Sequence, residues 1–232
     1  MLRILTTAAL ASILLAAATP VAAQEGADGS WSFAFGAATD NRSKGASKSD
    51  GEAFVWGEAE WENASGLFYA GSGFQTIKSS SGSDLEVEIG AGLRPGIAGF
   101  DLDLNATLKT QIDAAPGYDD NAWELTADLK RSIGPASGRL RVQYSPDGMG
   151  GTEAWTWVEA RAGWDFTDRL QATAAIGRRE QDGSLDYTAW NAGVAWTLTR
   201  AIEVDLRYYA TDANVPGEQY ADALVAGISL AF

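Results

Sequence analysis

From Trp31 to Phe232 the chain alternates apolar and polar residues with a period of two, which a helix repeating every 3.6 residues cannot use. The stretch DLEVEIGAGLR sets Leu85, Val87, Ile89, Ala91 and Leu93 against Glu86, Glu88 and Arg94. FDLDLNATLKT sets Phe100, Leu102, Leu104, Ala106 and Leu108 against Asp101, Asp103, Asn105, Thr107 and Lys109. WELTADLKR, RLRVQYS and IEVDLRYYA repeat the scheme. The pattern predicts twelve strands, near 31–40, 53–62, 67–77, 85–94, 99–111, 122–131, 139–145, 154–166, 169–178, 187–198, 201–211 and 221–232.

The connections carry as much information as the strands. Short links (63–66, 95–98, 132–138, 167–168 and 199–200) alternate with longer polar, glycine-rich ones (41–52, 78–84, 113–121, 146–153, 179–186 and 212–220). Outer-membrane barrels have this asymmetry, with short periplasmic turns and long outer loops. The predicted fold is therefore all-β: a single antiparallel, up-and-down transmembrane β-barrel of about twelve strands. No second domain or linker interrupts it. Ser79-Ser80-Ser81-Gly82-Ser83 is low in complexity and is expected to be a loop tip. Gly71-Ser-Gly73 and Gly90-Ala-Gly92 precede no helix and are expected to be strand bends.

Alternation alone also fits a soluble barrel or sandwich, with the apolar face inward. Four features favour lipid outside. The apolar face is almost devoid of charge, as hydrocarbon requires. The opposite face carries rows of acids and bases, which suits a wet lumen. Trp31, Trp61, Trp123, Trp164, Trp196, Tyr144, Tyr208 and Tyr220 cluster near strand ends, as interfacial girdles do. The chain also ends on YADALVAGISLAF, in which Tyr220, Leu224, Ala226, Ile228, Leu230 and Phe232 resemble the aromatic-terminated signal read by the bacterial barrel-assembly machinery. That last strand is expected to pair with the one near Trp31, so that no sheet edge is left.

Residues 1–23 read as a cleaved signal peptide: a basic start at Arg3, an apolar run over 4–18, Pro20, and a small-x-small site ending at Ala23. Residues 24–232 form the expected barrel domain, exported to the outer membrane of a Gram-negative bacterium. With 17 Lys and Arg against 31 Asp and Glu, the chain carries a formal charge of −14 and repels nucleic acid. It has no cysteine and no histidine, which excludes disulfides, thiolate chemistry and a Ser-His-Asp triad.

A Ser-Lys pair would have to come from Lys44 or Lys48 with Ser47 or Ser49, in a segment expected to be a solvated loop. A carboxylate pair such as Glu58/Glu60 or Asp101/Asp103 could in principle serve glycoside chemistry, but lumen-facing charge explains them more simply. Asp119-Asp120 and Asp182 lack calcium-loop spacing. No cofactor, metal or catalysis is expected.

Parity assigns Glu58, Glu60, Glu86, Glu88, Asp101, Asp103, Glu124, Asp128, Glu159, Glu203 and Asp205 to the lumen, with Arg94, Lys109, Lys130, Arg139, Arg141, Arg161 and Arg207. Many of these can pair across strands simply to satisfy buried charge. Acids outnumber bases, so the expected function is passive passage of small solutes with a mild preference for cations or neutral molecules. A non-conducting barrel that is structural or displays loops, and a soluble periplasmic binding barrel or sandwich, remain the alternatives.

One segment carries a family resemblance. ATDNRSKGASKSDGEAFVWGEAEWENASGLFYAGSGF, Ala38 to Phe74, resembles the N-terminal hairpins of the TorF family of porin-like proteobacterial outer-membrane proteins. The match lies in Thr39-Asp40 with Arg42, Lys44-Gly45-Ala46-Ser47 with Ser49-Asp50, and Gly66-Leu67-Phe68-Tyr69-Ala70-Gly71. Lys44-Gly45 stands where the family usually has Arg-Gly, which keeps the charge and loses the guanidinium fork. The resemblance implies a porin-like barrel with no assigned solute and no catalytic residues.

Overall fold

A computed structural model describes residues 29–232; the expected signal peptide lies outside the described residues. The strands are β1 (Ser30–Ala38), β2 (Arg42–Ser43), β3 (Ala46–Ser47), β4 (Phe54–Glu62), β5 (Phe68–Thr76), β6 (Leu85–Leu93), β7 (Gly96–Ile97), β8 (Phe100–Ile112), β9 (Asn121–Ile133), β10 (Ala136–Ser145), β11 (Trp155–Thr167), β12 (Leu170–Gln181), β13 (Tyr187–Thr197), β14 (Ile202–Thr211) and β15 (Ala223–Ala231). Among the described residues there is no helix.

Twelve of these strands, β1, β4–β6 and β8–β15, form one closed antiparallel wall. Each pairs with its neighbour in the chain, and β1 pairs with β15 to remove the last edge. The seam is clasped at the C-terminus: Phe33 N donates to Phe232 O at 2.8 Å and Phe232 N donates to Phe33 O at 2.9 Å. The Phe232 ring stacks on Phe33 and Phe35, with centroids 5.8 and 6.0 Å away. The expected twelve strands all occur. The link expected at 132–138 shrinks to Gly134-Pro135 because β9 and β10 both extend into it.

The barrel is polar inside and apolar outside. Ile89, Leu140 and Leu224 are 67%, 57% and 64% exposed, whereas Glu86 and Asp128 are 1% and 0% exposed. A soluble barrel would reverse these values. Trp31, Trp123, Trp164, Trp196, Tyr144 and Tyr208 are exposed on the outer face.

Two expectations are corrected in β5 and β6. Their register runs from Phe68↔Leu93 to Thr76↔Leu85 without a shift, so their glycines carry no bulge. Gly92 instead makes room on the inner face, because a Cβ there would meet the Tyr69 ring at 2.5 Å. The serine-rich segment is not a bare loop tip either. Ser81 and Ser83 are buried; Ser81 donates to Gln111 Oε1 at 2.7 Å and Ser83 to the Ile112 carbonyl at 2.6 Å, tying the loop to the end of β8.

Candidate functional site: the lumen and its mouth

The inner face divides into two sectors. From β4 to β11 it carries long charged side chains joined in ion pairs. Near the short-turn rim, Arg94 forks onto Glu60 at 2.7 and 3.0 Å, reaches Glu62 at 2.9 Å and Asp103 at 3.4 Å, and stacks over the Tyr69 ring at 3.6 Å. Tyr69 donates its hydroxyl to Asp103 at 2.6 Å, and Lys130 stands 3.4 Å from the same carboxylate. Further round, Arg141 grips Asp128 with two bonds of 2.7 and 2.6 Å. Glu159 holds Arg139 at 2.5 Å and lies 3.5 Å from Arg161. Arg139 and Arg161 are direct cross-strand partners, a repulsive arrangement that the shared Glu159 relieves.

From β12 round to β1 the inward positions are mostly small: Thr173, Ala175 and Gly177; Ala189, Asn191, Gly193 and Ala195; Val225, Gly227 and Ser229; Ala34, Gly36 and Ala38. Several are only half-buried, including Asn191, Gly193, Ala195, Gly227 and Gly36. The larger inward side chains are Gln171, Arg179 and Gln181 on β12, Tyr187 on β13, and Glu203, Asp205, Arg207 and Tyr209 on β14; the Trp56 and Trp157 rings lie over Gly36 and Gly177. Arg207 lies back along its own wall and donates to Asn191 Oδ1 and Thr173 Oγ1, both at 2.7 Å. The Asp205 carboxylate lies where a Cβ on Gly227 would stand.

Of the residues placed in the lumen by parity, Glu60, Glu86, Glu88, Asp103, Lys109, Glu124, Asp128, Arg139, Arg141, Glu159, Arg161, Glu203 and Arg207 are buried. Glu58, Arg94, Lys130 and Asp205 are half-buried, and Asp101 is exposed on the first residues of β8.

The mouth at the long-loop end differs from expectation. The first loop, 39–53, is not a solvated link; it folds inward and crosses the mouth. Its core is self-made: Arg42 pairs with Asp40, which also accepts from Ser47 at 2.6 Å and Ser49 at 3.0 Å. The Ser47 hydroxyl is thus committed to the carboxylate, the Ser49 hydroxyl is shared between it and the Glu52 carbonyl at 2.6 Å, and neither forms a Ser-Lys pair. Between β2 and β3, Lys44 (φ 53°) and Gly45 (φ 83°) make the tight two-residue turn in which both positions need positive φ. That turn drives Lys44 across the opening to Glu124 on β9, at 2.9 Å, with its ammonium 4.4 Å above the Trp155 ring.

Lys48 reaches Glu86 on β6 at 2.6 Å, and Asn41 donates to Gln75 on β5 at 2.8 Å. On the far side, Arg42 donates to the Ala221 carbonyl and Ser47 N to the Gln219 carbonyl, both at 2.7 Å. Burial pushes the Lys44 ammonium down to about 7, with the Glu124 carboxylate pulling it back up.

Aromatic side chains floor this mouth. Trp155, Trp157, Tyr187 and Ala189 form a buried cluster on which Ala46 of the loop packs. Tyr220, expected in the outer girdle, belongs here: its ring sits edge-on to Tyr187 at 5.1 Å. Parity could have found Trp155 and Trp157, which share a face with Glu159 and Arg161. Of the expected assembly signal, Leu224, Ile228 and Leu230 point outward and Phe232 closes the seam.

Solved structures with the same fold include the KdgM porin in complex with disordered oligogalacturonate (TM-score 0.61, 9% identity, 87% of this chain and 99% of that one). The NanC porin aligns with TM-score 0.58, 8% identity, and 87% and 98% coverage. An outer-membrane channel from Pseudomonas putida F1 aligns with TM-score 0.55, 10% identity, and 88% and 96% coverage. These likenesses establish the closed outer-membrane-type barrel. No curated protein sequence matches the chain. A family profile matches residues 23–228, nearly the whole barrel, and by that match the chain belongs to the bacterial protein family of unknown function Gcw_chp.

Proposed function

We propose that this protein is a porin-like channel in the outer membrane of a Gram-negative bacterium, passing small solutes by diffusion with a preference for cations or neutral molecules. The observation that carries this reading is the inner sector from β12 to β1, lined largely by small residues, beside a wall whose long charged side chains are joined in ion pairs. Twelve strands enclose more space than the eight of a side-chain-filled barrel, and small inward residues leave part of it open. Glu203 and Asp205 overhang this lane, while Arg207 is held flat against its wall. Rings of acids favour cations in a pore. Shared fold with proteins titled porins, and the TorF-like first loop, support the same reading. Export by a cleaved signal peptide and recognition of the last strand by the assembly machinery complete it, and no cofactor or catalytic step is invoked.

Reversal potentials in planar bilayers under a potassium chloride gradient test the selectivity. Cation selectivity that weakens in Glu203→Gln/Asp205→Asn is expected; anion selectivity overturns it. A second reading, a barrel that does not conduct, is favoured by one observation, the loop across the mouth. Absence of any conductance after that loop is removed would establish it.

A further inference from the structure

We infer that the acidic patch of Glu86, Glu88 and Glu124 inside the mouth is a binding site for an organic cation bearing two ammonium groups, and that the first loop occupies it with its own Lys44 and Lys48. The patch is built on three neighbouring strands. Glu86 and Glu88 stand on β6, Glu124 on β9, and Lys109 of β8 lies between them, 3.4 Å from Glu124 and 3.9 Å from Glu88.

All three carboxylates are buried, so each carries a desolvation cost that only nearby cations and hydrogen bonds offset. The wall itself supplies one cation for three anions. Gln75 and Gln143 each add a bond of 2.7 Å, to Glu86 and Glu124.

The remaining two positive charges come from the loop, as Lys48 on Glu86 and Lys44 on Glu124. With both ammonium groups protonated and seated, the formal charges of the patch balance; with the loop withdrawn they sum to −2. Two carboxylate oxygens show that even the seated loop leaves bonding capacity over. Glu86 Oε2 and Glu88 Oε2 are buried without a hydrogen-bond partner. Each ammonium carries three donors, so a mobile diamine can satisfy oxygens that two tethered lysines miss. The Trp155 face under Lys44 offers such a cation a further contact. The loop therefore acts as an intramolecular competitor: a diamine entering from the long-loop side takes the place of both lysines and releases the segment that crosses the mouth.

The inference deepens the channel reading and rests on it for its consequence, but the binding step is measured without conduction. The full chain, folded in detergent, is titrated calorimetrically with 1,5-diaminopentane, with n-pentylamine and magnesium as controls. Occupancy by the loop lowers apparent affinity in proportion to the time the site is filled, so Lys44→Gln/Lys48→Gln should bind the diamine roughly tenfold more tightly than the parent. Adding Glu86→Gln to that background should abolish the gain.

No tightening, or equal affinity for n-pentylamine or magnesium, overturns the inference. Should the double variant fail the heat-modifiable migration test for a folded barrel, Lys48→Gln alone decides: it frees Glu86 while the Lys44 turn stays in place. That variant should still bind the diamine more tightly than the parent; equal or weaker binding contradicts the inference. Cation-selective conductance without diamine binding would sink this inference and leave the channel reading standing, whereas diamine binding without conductance would do the reverse.

Discussion

The two sectors of the inner wall solve the same problem in opposite ways. Both face the barrel interior, and neither can be filled with apolar side chains without losing the outside-apolar, inside-polar alternation. Between β4 and β11 the chain fills space with long ions and matches them: Arg94 with Glu60, Arg141 with Asp128, Arg139 with Glu159. Between β12 and β1 it limits the desolvation cost by placing alanine, glycine, serine and threonine at most inward positions. The first sector is a polar core; the second is the lane along which the proposed channel would pass a solute. The first loop bridges them at the mouth, gripping Glu86 and Glu124 on one side and the loop before β15 on the other.

Several perturbations break or sharpen this contrast. The largest effect is expected from removing residues 42–48, which deletes the hairpin across the mouth while leaving the wall ladders intact. Single-channel conductance should rise several-fold, with heat-modifiable migration unchanged. Next, Arg141→Ala leaves Asp128 buried without its bidentate partner and should cost about 3–5 kcal/mol in urea unfolding from detergent. Thr173→Ala in the sparse sector should cost less, about 1.5–3 kcal/mol, since it removes one hydrogen bond donated by the Arg207 guanidinium.

Enlarging an inward residue should discriminate in the other direction. Ala195→Phe, at a half-buried position, should lower conductance with little loss of stability, whereas Thr126→Phe, where Thr126 is 5% exposed, should destabilise by about 1–3 kcal/mol through overpacking.

The smallest effect concerns pH. Lys44 faces Glu124 from β9, Lys109 from β8 and Arg179 from β12. Its value of about 7 in the docked loop lies below the ordinary lysine value of about 10.4, so docking releases a proton and strengthens as pH rises between the two. Mean current should therefore fall modestly from neutral to alkaline pH, and Lys44→Gln should remove that slope.

The wall of the barrel was legible because its signal is local: every strand repeats the same two-residue choice, and the turns punctuate it. The seam between β15 and β1 was legible for the same reason, since only one pairing removes both edges. The mouth was not. Asp40, Arg42, Lys44 and Lys48 look like any solvated loop, and their burial depends on partners 38 to 179 positions away, among them Glu86, Glu124 and the Ala221 carbonyl. Tyr220 was misplaced because it precedes β15 and follows the loop inward to Tyr187, not the strand outward. Trp155 and Trp157 shared parity with Glu159 and Arg161, yet aromatics near a strand end resemble a girdle until their face is counted.

The first loop, seated on the acidic wall, is proposed to control access to the sparse sector. Single-channel recording from Lys44→Gln/Lys48→Gln barrels in planar bilayers, beside the parent, decides this. A several-fold larger current is expected in the variant, whose loop no longer grips Glu86 and Glu124, with cation selectivity in the open state. Identical conductance of the two, with both barrels folded by heat-modifiable migration, would contradict it.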